Sequence, residues 1–127
     1  MTRQLVSSGS PYEAITGFSR AVRIGPWISV AGTAPLRGGV TAHPGDVYGQ
    51  TRECLTTIIA AVTEAGGSID AIVRTRVMLT NIDAWRDAAR AHGEFFGKIR
   101  PACTFVGVSR FIDPEWLVEI EADAYVL

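Results

Sequence analysis

The chain has 127 residues, of which 47% are hydrophobic and 20% charged, with a formal net charge of −1 and two cysteines. This is the composition of one globular domain, residues 1–127; it excludes wholesale disorder and a disulfide framework. No run of Lys or Arg gives a nucleic-acid footprint. The longest apolar run, residues 58–62, falls far below the ~20 residues needed to span a bilayer. No basic start followed by an apolar stretch comes after Met1. The expectation is a soluble, cytoplasmic protein with neither nucleic acid nor membrane as partner.

In chain order, the first elements predicted are two short β-rich runs, residues 19–23 and 27–31, joined by the turn pair Gly25-Pro26 into a hairpin. The segment "PLRGGVTAHPGD" has the residues of a surface loop. From Asp46 the period changes. Val47, Thr51, Leu55, Ile58, Val62 and Ala65 recur every three or four residues, with Asp46 as N-cap and Gly66-Gly67 as the stop, which predicts a helix. Residues 72–80 read as a strand with Val73, Thr75, Val77 and Leu79 on one face and Arg74, Arg76 and Met78 on the other. A second helix is predicted over 83–96, turning Trp85, Ala88 or Ala89, His92 and Phe95 or Phe96 inward. Strand 103–108 follows Pro101. The last strand alternates Val118, Ile120, Ala122, Ala124 and Val126 with Glu119, Glu121, Asp123 and Tyr125. The order β-β-α-β-α-β-β is an α+β fold with two helices on one face of a sheet.

The row of three carboxylates has a structural explanation if the last strand lies beside 72–80, opposite Arg74 and Arg76, because cross-strand opposite charges contribute roughly 0.2–1 kcal/mol each. Met78, Phe105 and Tyr125 are assigned to the helix-free face, and that much apolar surface calls for cover by self-association.

No glycine-rich loop follows a strand and opens a helix, so nucleotide binding is unsupported. His43, His92, Cys54 and Cys103 show no recognisable ligand spacing, so no metal is expected. Cys103 is a candidate nucleophile with His92 as base, weighed against a half-buried cysteine acting as a small hydrophobe, which is the commoner role. Glu119 suits a general base if it is the acid left without a cation; the competing reading pairs it with Arg74 or Arg76.

Several segments in fixed order resemble the reactive-intermediate (imine) deaminase family, Rid or YjgF-like: "GFSRAVRIGPWISVAGTAP", "QTRECLTTI" with "EAGGSIDAIVRTRVMLTNI", "FFGKIRPACT" and "VEIEADA". The resemblance covers nearly the whole chain. It implies a chorismate-mutase-like fold, a homotrimer with clefts between subunits, and cofactor-independent hydrolysis of imines or enamines to 2-keto acids and ammonia. Mapped onto this sequence, it implies a site of Phe18, Gly32, Thr33, Cys103 and Thr104 around a small-molecule ligand, with Glu119 positioning water.

Departures from the family pattern fall on the substrate side. Cys103 in "RPACT" stands where the family has an arginine for the substrate carboxylate, Phe18 replaces a tyrosine, and Ala89 replaces an asparagine. A guanidinium fork matches a carboxylate, and each such charged hydrogen bond is worth about 1.5–3 kcal/mol. Arg100, one proline upstream, is expected at the surface. Two functions therefore stand: an imine or enamine hydrolase with a non-standard substrate, and a noncatalytic metabolite-binding or regulatory module.

Overall fold

The computed structural model describes residues 2–127. Its strands are β1 (Arg3–Val6), β2 (Ala21–Ile24), β3 (Trp27–Thr33), β4 (Leu36–Arg37), β5 (Val40–Thr41), β6 (Ile72–Leu79), β7 (Ala102–Gly107) and β8 (Val118–Tyr125). Its helices are α1 (Pro11–Thr16), α2 (Val47–Glu64) and α3 (Trp85–Phe96), with short 3₁₀ turns before β6 and α3. Six strands form one sheet in the order β1-β2-β3-β8-β6-β7; only β6 and β7 are parallel, and β4-β5 form a separate ribbon. The parallel pair is the crossover that α3 makes possible, since parallel neighbours cannot be joined by a tight turn. No helix among the described residues is long and apolar enough to cross a membrane.

The expected α+β arrangement is present, with α2 and α3 on one face of a mixed sheet. Asp46 caps α2, its Oδ1 accepting from the Gly49 N–H at 3.0 Å, and Gly66 at φ +94° turns the chain away after the helix. Leu55, Ile58 and Val62 from α2 and Phe96 from α3 meet Ile28, Val77, Leu79 and Ile120 from the sheet. Each such side chain contributes about 1.5–3 kcal/mol when fully buried. Arg74, Arg76 and Met78 register with Asp123, Glu121 and Glu119, so the last strand does lie beside the predicted strand and its arginines face acids.

The structure corrects five local expectations. β1 and α1 precede the first predicted hairpin, and the loop after β3 contains the β4-β5 ribbon. Val73 is exposed: a bulge between Ile72 and Arg74 breaks the alternation, so Ile72, rather than Val73, enters the core. Phe105 registers with the buried Val77 and packs against Trp85 and His92, with ring centroids 6.3 and 6.4 Å away, so it lies on the helix side and not on the open face. Cys103 is exposed, not half-buried.

Candidate functional site

Glu119, Glu121 and Asp123 project from β8 onto the open face, and each has a different neighbour. Glu121 is ion-paired with Arg76, and Asp123 accepts a hydrogen bond from the Ser29 hydroxyl at 3.0 Å. Glu119 lies opposite Met78 and, among the described residues, makes no ion pair or hydrogen bond. Burial pushes its carboxyl above the ordinary glutamate range; the positive charge of Arg20 opposes that shift and the nearby Glu121 adds to it.

An irregularity in β3 brings this acid to a cleft. Between Val30, paired with Ala122, and Thr33, paired with Ile120, β3 holds one residue more than β8. Such a bulge bends the strand and re-aims its side chains. At the bulge, a Cβ on Gly32 would stand 3.0 Å from Glu119 Oε1, so the absence of a side chain there gives the carboxylate its place.

Arg20 holds the bulge in place. It is 6% exposed; its Nη1 donates to the Gly32 carbonyl at 2.7 Å and to Thr33 Oγ1 at 3.1 Å, and its Nε donates to Ser8 Oγ at 3.3 Å. Thr33 Oγ1 in turn donates to the Ala31 carbonyl at 2.8 Å. Beside the Arg20 guanidinium sits the buried Glu13, which accepts from Ser7 Oγ, Ser8 Oγ and the Ser8 N–H. Burial alone would raise the Glu13 carboxyl, but the serine hydrogen bonds and the charge of Arg20 hold it below the ordinary range.

The cleft in front of these groups has a volume of about 830 Å³. Glu119, Arg20, Gly32 and Thr33 line its base, while Tyr12, Phe18 and Trp116 give it an aromatic wall. Tyr12 and Trp116 meet edge to face at 5.9 Å, and the Trp116 Nε1–H donates to Thr41 Oγ1 at 3.2 Å, which fastens the β4-β5 ribbon to the cleft. Among the described residues Arg20 is the lone cation lining the cleft, against the carboxylates of Glu119, Asp113 and Glu115.

Of the residues singled out from sequence, Phe18, Gly32, Thr33 and Glu119 thus share one cleft. Cys103 and Thr104 do not join them. They lie on the edge strand β7, two strands from β8, and Cys103 is in register with Thr75, which is three residues along from Met78, the neighbour of Glu119. Strand spacing and rise put Cys103 about 14 Å from Glu119 within one chain. Arg100 is exposed at φ +59° just before Pro101. His92 is committed elsewhere: its Nε2 is 2.8 Å from Thr75 Oγ1 beneath α3, and among the described residues it makes no hydrogen bond to Cys103. Sequence reasoning missed Arg20, Tyr12 and Trp116; an arginine inside an apolar strand-forming run was the one available signal. Among the described residues, no three His, Cys, Asp or Glu side chains are grouped to hold a metal ion.

A family model described as Endoribonuclease L-PSP matches residues 8–126. An uncharacterised protein of Streptomyces coelicolor is 41% identical over 120 residues, covering 94% of this chain and 90% of its own length. The crystal structure of Rv2704 from Mycobacterium tuberculosis, a member of the YjgF/YER057c/UK114 family, is 46% identical with a TM-score of 0.90 over 98% of this chain and 100% of that one. YyfA of Yersinia pestis, a member of the conserved Rid family, is 30% identical with a TM-score of 0.87, over 98% of this chain and 100% of that one. With nearly the whole chain matched in both sequence and fold, the protein belongs to the YjgF (Rid) family.

Proposed function

We propose that the protein is a cofactor-independent hydrolase of small imines or enamines, working as a homotrimer in which Cys103 and Thr104 of one copy complete the cleft of the next. The observation that carries this reading is Glu119: alone among three neighbouring carboxylates it lacks a partner among the described residues, and it faces an open cleft while partly shielded from water. A carboxylate so placed can accept a proton from water as the oxygen attacks the carbon of a protonated imine, return that proton to the carbinolamine nitrogen, and take the hydroxyl proton as the C–N bond breaks to leave carbonyl and ammonia. Its raised proton affinity makes it a better base than an exposed glutamate.

Family descriptions include an endoribonuclease. Among the described residues the cleft has three carboxylates against one cation and no histidine, which disfavours a polyanionic backbone. The second reading, a noncatalytic metabolite-binding module, is favoured by Cys103 standing where the family's anchor arginine is expected.

The test is release of ammonia and keto acid from freshly generated imino acids. The parent is expected to accelerate hydrolysis, and Glu119→Gln to lower it by about 10²–10⁴-fold with the fold retained. An inert parent alongside an active Cys103→Arg variant selects the binding module instead.

A further inference from the structure

Arg20 has one nitrogen to spare. Its Nε and Nη1 are committed to Ser8, Gly32 and Thr33, whereas Nη2 has only Glu13 Oε2 at 3.9 Å, beyond hydrogen-bond reach. Glu13 cannot come closer without loss, because both of its oxygens already accept from Ser7 and Ser8. Among the described residues no sealed side-chain nitrogen or oxygen lacks a partner, so Nη2 keeps contact with solvent, and Arg20 lines the cleft. A guanidinium stays charged even when desolvated, and two unused N–H donors on a fixed, largely buried arm form a preorganised anion contact. Thr33 cannot play that part: its hydroxyl proton is committed to Ala31 and its oxygen accepts from Arg20.

Resting on the reading of this cleft as a ligand site, we propose that Arg20 is its anchor. Nη2 binds the carboxylate of a zwitterionic, amino-acid-like ligand whose protonated nitrogen faces Glu119 and its acidic neighbours and whose apolar part lies against Tyr12, Phe18 and Trp116. The cation needed for a carboxylate, absent at Cys103, is thus supplied from the floor of the cleft. The lining selects the ligand's charge: one cation among three carboxylates repels a dianion such as a phosphate monoester and accepts a monoanion that carries its own positive group. The three rings favour an aromatic or bulky apolar side chain over a short one.

Calorimetry on the full chain with L-phenylalanine and L-phenylalaninamide separates the anchor from a merely structural arginine, because the two probes share shape and ammonium group and differ in the carboxylate. The parent is expected to bind phenylalanine ~10–100-fold more tightly than the amide. Arg20→Gln loses or inverts that preference, and Arg20→Lys, which keeps the charge without the fork, retains part of it. Equal binding of the two probes by the parent, no binding of either at millimolar concentration, or an undiminished preference in Arg20→Gln overturns the proposal. Should Arg20→Gln fail to fold, nitrogen resonances of the Arg20 guanidinium in the parent decide the matter: they must move with phenylalanine and stay still with the amide. Hydrolysis surviving together with an unchanged preference in Arg20→Gln sinks the anchor and leaves the hydrolase reading intact. An Arg20-dependent preference in a protein that hydrolyses nothing does the reverse.

Discussion

Three acids two residues apart on one strand differ because of what the neighbouring strands set opposite them. Arg76 meets Glu121, Ser29 meets Asp123, and Met78 meets Glu119. The pH dependence of stability should carry the difference. The folded Glu119 carboxyl holds its proton more tightly than an unfolded glutamate, so its burden on the fold is absent below the ordinary carboxylate range. As pH rises through the raised value the group must ionise while shielded from water, and stability falls. Thermal melts of Glu119→Gln are therefore expected to match the parent near pH 3–4 and to exceed it at pH 7; a variant less stable than the parent at pH 7 contradicts the assignment. The alternation of β8 was legible in its sequence, and so was the idea that one acid lacks a cation. Which acid that is depends on the β6 register, and a single strand's sequence does not contain it. Arg20 was illegible for the same reason, since its partners come from the segment before α1 and from the β3 bulge.

At the level of elements, the bulge in β3 and the packing of α3 make separate demands. Gly32→Ala would place a methyl group 3.0 Å from Glu119 Oε1, and a carboxylate can shift by the few tenths of an ångström required. The variant is expected to stay within about 1 kcal/mol of the parent in denaturant melts while losing most of its imine hydrolysis. Under α3, His92 bonds Thr75, which is fully buried, and burial lowers the imidazole's proton affinity. His92→Leu leaves the Thr75 hydroxyl without its partner and should cost about 1–3 kcal/mol at pH 7. The folded imidazole resists protonation, so its contribution is complete above the unfolded pKa near 6.5 and is lost as pH falls through the lowered folded value. The gap between parent and variant, followed by melts from pH 7 to pH 5, should narrow; a constant gap would mean that His92 does not titrate against the fold. Long periodic elements such as α2 and β8 were readable. β1 was not, because Leu5 and Val6 are adjacent apolar residues rather than an alternating set, and α1 has only six residues, too few to show a period. Phe105 was assigned to the wrong face because an edge strand's facing is fixed by its parallel partner, and β7 pairs with β6 across a helix's length of intervening chain.

For the whole molecule, one chain leaves two surfaces without cover. The open face of the sheet carries Leu5, Trp27 and Tyr125, all exposed, and β7 ends the sheet with unpaired backbone groups. A closed ring of copies would cover both and carry Cys103 and Thr104 of each copy to the Glu119 cleft of the next. Light scattering should then report a mass three times that of the 13.7 kDa chain. Complementation is the sharper test. Glu119→Gln removes the base from one side of the cleft, and Cys103→Trp plugs it from the other, so each variant alone should be inactive. Unfolded and refolded together in equal amounts, the two chains assemble at random. A cleft is intact when its Glu119 comes from the Cys103→Trp chain and its Cys103 from the Glu119→Gln chain, so about a quarter of the parent's activity should return. If each chain held a complete cleft of its own, every cleft would still carry one lesion, and mixing would restore nothing.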